Sequence, residues 1–131
     1  MSSLLLLQIG LRQQQIADPN AERLERMKAM GMRVEPINMQ RISIYLSQEL
    51  SKAQAEELQG LGITLYPDSW IPPVGSHQAG FLLADMPVDK LNDLANKDYV
   101  VRLDTAEQQL RPQDGYMPGG GEPPQEAKPL E

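Results

Sequence analysis

Few side chains in this sequence are suited to catalysis. The 131 residues contain no cysteine and a single histidine, His77. The lack of cysteine excludes disulfides, iron–sulfur clusters, thiol catalysis and cysteine-based zinc sites. His77 directly follows Ser76, and neighbouring side chains in an extended loop point apart, whereas a hydrolase triad needs a histidine that faces its nucleophile. We therefore expect no catalytic residues, and a binding or regulatory module rather than an enzyme.

Acidic side chains recur at a spacing that could suggest a cation site. Asp85, Asp89 and Asp93 lie four residues apart, but Asp85 precedes the helix on which the other two share a face. Calcium needs about six oxygen ligands or more, so we interpret the pattern as a solvated helix surface and expect neither a metal nor a cofactor. The net charge of −6 argues against nucleic acid and anionic membranes as partners.

The only tryptophan, Trp70, lies between Pro67 and the pair Pro72-Pro73, within a predicted loop at residues 67–79. A large aromatic side chain in such a loop either anchors the loop by packing on the end of a sheet or serves as a recognition residue. Anchoring is the stronger interpretation because a long loop needs a point of attachment. Trp70 is nevertheless included among the candidate partner-binding residues.

Regular structure is predicted most clearly between residues 41 and 107. Residues 41–46 alternate strictly between polar and apolar side chains, which is typical of a strand with one buried face. Ser51 and Gln54 match the capping box that opens a helix. The element order β-α-β-β-α-β predicts an α+β fold, a ferredoxin-like sandwich with both helices on one face of a four-stranded antiparallel sheet. The predicted strands are residues 41–46, 63–66, 80–84 and 99–103, and the predicted helices begin at Ser51 and Pro87.

The flanking segments differ from this central domain. Residues 1–40 are predicted to form a helical extension, with one helix starting at Asp18 and Pro19 and stopping at Gly31. The apolar run that begins at Leu4 is about half the length that spans a bilayer. Because no basic residue precedes this run, we expect a helix stripe packed on the domain rather than a removable signal.

Residues 108–131 are predicted to be a disordered tail or linker. Five prolines and four glycines fall in this stretch, and such a composition buries too little apolar surface to offset the entropy of ordering. The acidity divides unevenly along the chain. Residues 1–40 carry five basic and four acidic side chains, residues 41–107 carry five and ten, and the tail carries two and four. The net charges are therefore +1, −5 and −2, and the central domain carries most of the acidity.

One face of the predicted sheet has no helix from residues 41–107 to cover it. Alternation places Tyr45, Tyr66 and Leu82 on this face, and aromatic side chains among aliphatic ones are typical of docking surfaces. The alternative is that the helices of residues 1–40 fold back and cover it.

This pattern resembles the propeptide, an inhibitor-type domain, of subtilisin-like serine proteases. The resemblance covers residues 41–107 and lies in the strand–helix order, the second-helix sequence from Pro87 to Leu94, and the closing segment from Asp98 to Asp104. It implies an intramolecular chaperone and inhibitor whose open sheet face packs on a protease, and it implies secretion. Carried over, Tyr45, Tyr66 and Leu82 would form the docking face, Asp104 and Glu107 would cap protease helices, and residues 108–112, including Leu110, would enter the active-site cleft.

A second hypothesis is a small-molecule regulatory module. Domains of the ferredoxin-like kind often pair edge to edge and bind ligands at the seam, so this hypothesis predicts a dimer with a polar pocket, and a cytoplasmic location. The sequence alone leaves the oligomeric state open.

Overall fold

The structure is a computed structural model and describes residues 2–108. It is an α+β fold, with four α-helices and four strands in this range. The predicted tail lies outside the described residues except for Gln108, which is exposed. No helix of residues 2–108 is long and apolar enough to cross a membrane. The helices are α1 (Ser3–Ala17), α2 (Ala21–Ala29), α3 (Lys52–Gly60) and α4 (Leu91–Ala95), and the strands are β1 (Met39–Leu46), β2 (Thr64–Ile71), β3 (Gly80–Pro87) and β4 (Arg102–Thr105).

The four strands form one antiparallel sheet in the order β2-β3-β1-β4. Strand β1 pairs with both of its neighbours, so that Ile44 lies opposite Leu82 on one side and Leu103 on the other. Because directly opposed residues share a face, this register places the buried aliphatic side chains of the three strands together. The sheet thus has one apolar face and one mixed face.

The core lies on the apolar face, under α1, α3 and α4. Leu58 of α3 and Leu94 of α4 are fully buried there, and Leu5 and Ile9 of α1 join the same cluster. Each such side chain contributes about 1.5–3 kcal/mol through removal from water. The cluster consists of Leu5, Ile9, Ile42, Ile44, Leu46, Leu58, Ile63, Leu82, Ala84, Met86, Val88, Leu94 and Leu103.

The N-terminal segment adds a helix to the core. Helix α1 begins at Ser2, whose Oγ accepts a hydrogen bond from the amide of Leu5, and it packs on the same face as α3 and α4. The alternative that this helix covers the other face is therefore wrong. Helix α2 packs against α1, and its cap is Asn20 rather than Asp18.

Two strands differ in length from the prediction. Strand β2 continues to Ile71 through an irregular stretch, in which the Ser69 hydroxyl donates to the carbonyl of Tyr66 and accepts from the amide of Leu83. The predicted loop at residues 67–79 is therefore shortened to residues 72–79. Strand β4 begins at Arg102, later than the predicted residue 99, because the amide of Val100 closes a turn onto the carbonyl of Lys97.

Candidate protein-interaction surface

The mixed face of the sheet is the candidate site, and we call it the open face. Register and alternation bring together side chains from all four strands, and several of them are only half-buried. The face has an aromatic end, near the end of β1, and a charged end, near its start. Its members are Arg41, Ser43 and Tyr45 of β1, Thr64 and Tyr66 of β2, Phe81, Leu83 and Asp85 of β3, and Arg102 and Asp104 of β4.

The aromatic end is built from a stack of three side chains. The ring centroids of Tyr45 and Phe81 are 5.5 Å apart with the planes inclined at 40°. The Arg102 guanidinium lies over the other side, 4.1 Å from the Tyr45 centroid, which is within the range of a cation–π interaction. This arrangement presents an aromatic surface with one exposed positive charge at its border.

A groove runs beside this stack, and we call it the Tyr45 groove. Two overlapping parts have volumes of about 240 and 260 Å³, and both are lined by Tyr45, His77 and Arg102. The exposed apolar side chains Ile71 and Val74 form its outer wall. The groove therefore combines an apolar wall with the positive charge of Arg102, and this combination is suited to contact with another chain.

The charged end is occupied by an ion-pair cluster around Asp85. Its carboxylate accepts hydrogen bonds from Arg33 Nη2 at 2.9 Å, from Arg41 Nε at 3.0 Å and from the Tyr66 hydroxyl. Burial opposes ionisation of Asp85, but the hydrogen bonds from Arg41 and Tyr66 and the charge of Arg33 outweigh it, and the pKa of Asp85 lies below its ordinary value. The hydrogen bond from Arg41 to Asp85 in turn raises the pKa of the guanidinium. Both guanidinium groups at this end are thus paired with the same carboxylate inside the protein.

Glu107 is not free to contact a partner. Its carboxylate is almost fully buried, accepts from Arg12 Nη2, and also accepts from the backbone amides of Arg33 at 2.8 Å and Arg41 at 2.6 Å. Arg12 is fully buried and donates further to Gln40. Burial lowers the pKa of Arg12, and the charge and hydrogen bond of Glu107 partly offset this. The carboxylate therefore joins α1, β1 and the end of β4 inside the protein.

Asp104 also has internal partners. Its Oδ1 accepts from the Ser2 hydroxyl at 2.7 Å and from the amide of Thr105 at 2.8 Å. This contact attaches the first turn of α1 to the edge strand. The two acids that the propeptide resemblance assigns to a partner thus hold the N-terminal segment in place, and Leu110 lies outside the described residues.

The remaining predicted residues divide between the open face and the core. Tyr45 and Tyr66 lie on the open face, as the alternation predicts. The placement of Leu82 on that face is wrong, because Leu82 lies opposite Ile44 and is buried in the core; Leu83 takes the position on the open face. Trp70 is half-buried and packs against the core, beside a cavity of about 80 Å³, so it anchors the end of β2.

Three important residues were missed by sequence reasoning. Phe81 lies in the predicted strand at residues 80–84, where a continuous apolar run gives no alternation. Its partner on the neighbouring strand is Tyr45, and this pairing places Phe81 on the open face. Arg102 lies within the predicted strand at residues 99–103 and is not among the predicted site residues. Arg12 follows Leu5 and Ile9 on the buried face of α1. An arginine on the apolar face of a helix indicates a buried ion pair, and this signal is present in the sequence.

Comparison with known proteins provides no relative. No protein-family model matches the chain, and neither a curated protein nor a solved structure matches it. Among residues 2–108 there is no group of three or more metal-ligating side chains that could hold an ion. The function of the open face is therefore inferred from its own geometry and chemistry.

Proposed function

We propose that this chain is a non-enzymatic protein-interaction domain that docks through the open face. The observation that carries the proposal is the half-exposed stack of Tyr45 and Phe81, bordered by Ile71 and Val74, which are 47% and 60% exposed. Contiguous apolar surface of this kind is uncommon on proteins that bind nothing, and it marks interaction sites.

We further propose that the fold is the ferredoxin-like βαββαβ sandwich. Supporting this is the strand order, in which β1 and β3 are central and β2 and β4 are at the edges. Helix α3 connects β1 to β2, and the turn at Val88–Lys90 with α4 connects β3 to β4. Helix α1 would then be an addition that extends the helical layer of the sandwich.

The composition of the open face favours a protein partner over a small molecule. Tyrosine, phenylalanine and arginine are the side chains enriched at the centres of protein interfaces, and Tyr45, Phe81 and Arg102 form one contiguous stack here. Extended contact across the face is the better fit.

A subtilisin-like protease is the partner that the propeptide resemblance suggests. In this chain such a contact would have to depend on the aromatic end, because Asp104 and Glu107 are engaged by Ser2 and Arg12. This proposal therefore uses fewer docking residues than the propeptide resemblance implies. Tyr45 and Phe81 supply the binding energy, whereas Asp104 and Glu107 stabilise the domain.

The test is a titration of the purified full chain against a subtilisin-like protease. We expect inhibition of peptide hydrolysis, or faster refolding of the denatured protease, at micromolar concentration. Tyr45→Ala should weaken the effect at least about 30-fold, as expected for a residue at the centre of an interface that contributes about 2 kcal/mol or more.

The control is Leu6→Ala, which removes an exposed apolar side chain from α1, away from the open face. This variant should inhibit as well as the wild type. Absence of both inhibition and faster refolding for the wild-type chain at micromolar concentration would reject the protease as partner. Equal effects of the two substitutions would reject the aromatic end as the docking surface.

A further inference from the structure

Three polar side chains that line the Tyr45 groove have no polar partner among residues 2–108. The guanidinium of Arg102, the hydroxyl of Tyr45 and the imidazole of His77 line both parts of the groove. None of these three groups forms a side-chain hydrogen bond or an ion pair within this range. Each of them can donate a hydrogen bond, so the groove offers several donors to one bound acceptor.

The charge of the groove is opposite to that of the domain around it. None of the residues that line the two parts is an aspartate or a glutamate, although residues 41–107 carry ten acidic side chains against five basic ones. At the charged end of the open face, Arg33 and Arg41 both pair with Asp85. Arg102 has no such carboxylate within residues 2–108, and the groove is therefore suited to an acidic group on a ligand.

The contact with Tyr45 leaves Arg102 able to bind a carboxylate. The guanidinium carbon lies 4.1 Å from the centre of the Tyr45 ring, so the planar group contacts the ring face. The N–H groups of a guanidinium lie in its plane, and a contact through the flat face does not use them. A carboxylate can accept two parallel hydrogen bonds from such a group.

We propose that the Tyr45 groove binds a segment of the protein partner in which one Asp or Glu is flanked by apolar side chains. The carboxylate pairs with Arg102, and the flanking apolar side chains pack on Phe81 and on the exposed wall formed by Ile71 and Val74. The partner is that of the proposed function, on which this inference rests.

The surroundings of Arg102 favour a single carboxylate within a chain over a chain terminus or an acidic run. Arg102 lines both parts of the groove, and one part continues past Gln78 while the other continues past Phe81. A bound segment can therefore leave the groove on both sides. The net charge of −5 on residues 41–107 repels a strongly acidic partner, whereas one carboxylate in contact with Arg102 gains most from that single pair.

The test uses a phage-displayed library of random peptides and the purified full chain. We expect enrichment of sequences that carry one Asp or Glu next to aliphatic or aromatic residues. An enriched peptide is then synthesised with both ends blocked, so that its only carboxylate is the side chain. Its addition to the nitrogen-15-labelled chain should shift the amide signals of Tyr45, Ala79 and Phe81 in two-dimensional NMR spectra.

Substitutions on both sides of the contact identify the ion pair. Replacement of the acidic residue of the peptide by Gln should weaken binding about fivefold, the upper range for an exposed ion pair. Arg102→Glu should weaken binding of the acidic peptide at least about tenfold, because attraction becomes repulsion. The same variant should bind a peptide with Lys at that position more tightly than the wild type does. Arg26→Glu, the matched change on the exposed surface of α2, should alter neither affinity.

The outcomes separate the carboxylate preference from the proposed function. Peptides that shift the signals of Tyr45 and Phe81 but bind equally well with Gln in place of the acid would reject the preference and leave the open face as the docking surface. Peptides that bind only elsewhere, or a library without any enriched sequence, would overturn the inference, and the protease titration then decides the proposed function by itself. Binding of acidic peptides in the groove by a chain that inhibits no protease would reject the protease as partner and leave the preference in place.

Discussion

The guanidinium of Arg12 and the carboxylate of Glu107 are 95 positions apart in the sequence and form a fully buried ion pair between α1 and the end of β4. Neither charge is left unsatisfied, because Arg12 also donates to Gln40 and Ile37, and Glu107 also accepts two backbone amides. Buried pairs of this kind add little net stability but are costly to break. The pair therefore makes the presence of α1 a condition for a stable sheet.

Removal of one partner of this pair should destabilise the protein strongly. We expect Glu107→Ala to lower the free energy of unfolding by about 3–5 kcal/mol, because it leaves the buried guanidinium of Arg12 without its counter-ion and two amides without acceptors. Glu107→Gln keeps an acceptor oxygen and should cost less. Urea denaturation followed by circular dichroism measures both, and a loss below about 1 kcal/mol for Glu107→Ala would contradict the buried pair.

Deletion of residues 1–38 should prevent folding of the remaining chain. The deletion removes Leu5 and Ile9 from the core and leaves the side chains of Gln40, Thr105 and Glu107 without their partners from α1. We expect a poorly dispersed NMR spectrum for a chain that starts at Met39. A well-dispersed spectrum for this fragment would show that residues 1–38 are a separable extension.

The contribution of Asp85 to stability should depend on pH. Its pKa is lowered in the folded state, so the carboxylate stabilises the fold at pH values above its unfolded pKa of about 3.9. This contribution should be lost as the pH falls through the lower pKa of the folded state. The difference in unfolding free energy between wild type and Asp85→Asn should therefore be constant at neutral pH and shrink in acid.

The control for this measurement is Asp68→Asn, a change of the same type at an exposed position of β2. We expect it to alter stability by less than about 0.5 kcal/mol at neutral pH. If the difference between wild type and Asp85→Asn does not change with pH, the interaction of Asp85 with Arg33 and Arg41 contributes nothing to the fold.

Two glycine substitutions should have opposite effects. A Cβ atom at Gly80 would lie 2.1 Å from the carbonyl oxygen of Ile71, whereas one at Gly10 in α1 would meet nothing within 4 Å. Gly80→Ala should thus destabilise by more than about 1 kcal/mol through displacement of backbone. Gly10→Ala should stabilise by about 0.5–1 kcal/mol through helix propensity. The two midpoints of thermal unfolding should move in opposite directions; equal shifts would contradict the close approach of β2 and β3.

Local patterns were sufficient to predict most of the elements. The alternation in β1 and the capping box at Ser51 and Gln54 depend on neighbours in sequence, and both are present in the structure. The predicted strand stops at residue 66, before Pro67, whereas β2 continues to Ile71. Strand β2 is at an edge of the sheet, where a proline without an amide proton is tolerated.

The candidate surface could be predicted only in part. Strict alternation fixes the face of the sheet on which each residue of a strand lies, and it places Tyr45 and Tyr66 on the open face. It could not separate Leu82 from Leu83, since both lie in a continuous apolar run and only pairing with Ile44 decides which one enters the core. A shift of one residue in register would exchange the two faces.

The sequence by itself therefore determined that chemistry based on cysteine is excluded, and it determined the order of the elements in the sheet domain. The absence of cysteine is a property of composition and requires no fold. The tertiary structure decided which face stays open and which charges are buried. Arg12 meets Glu107, and Arg102 meets Tyr45, through contacts across 95 and 57 positions, and no local pattern encodes contacts between residues so far apart in the chain.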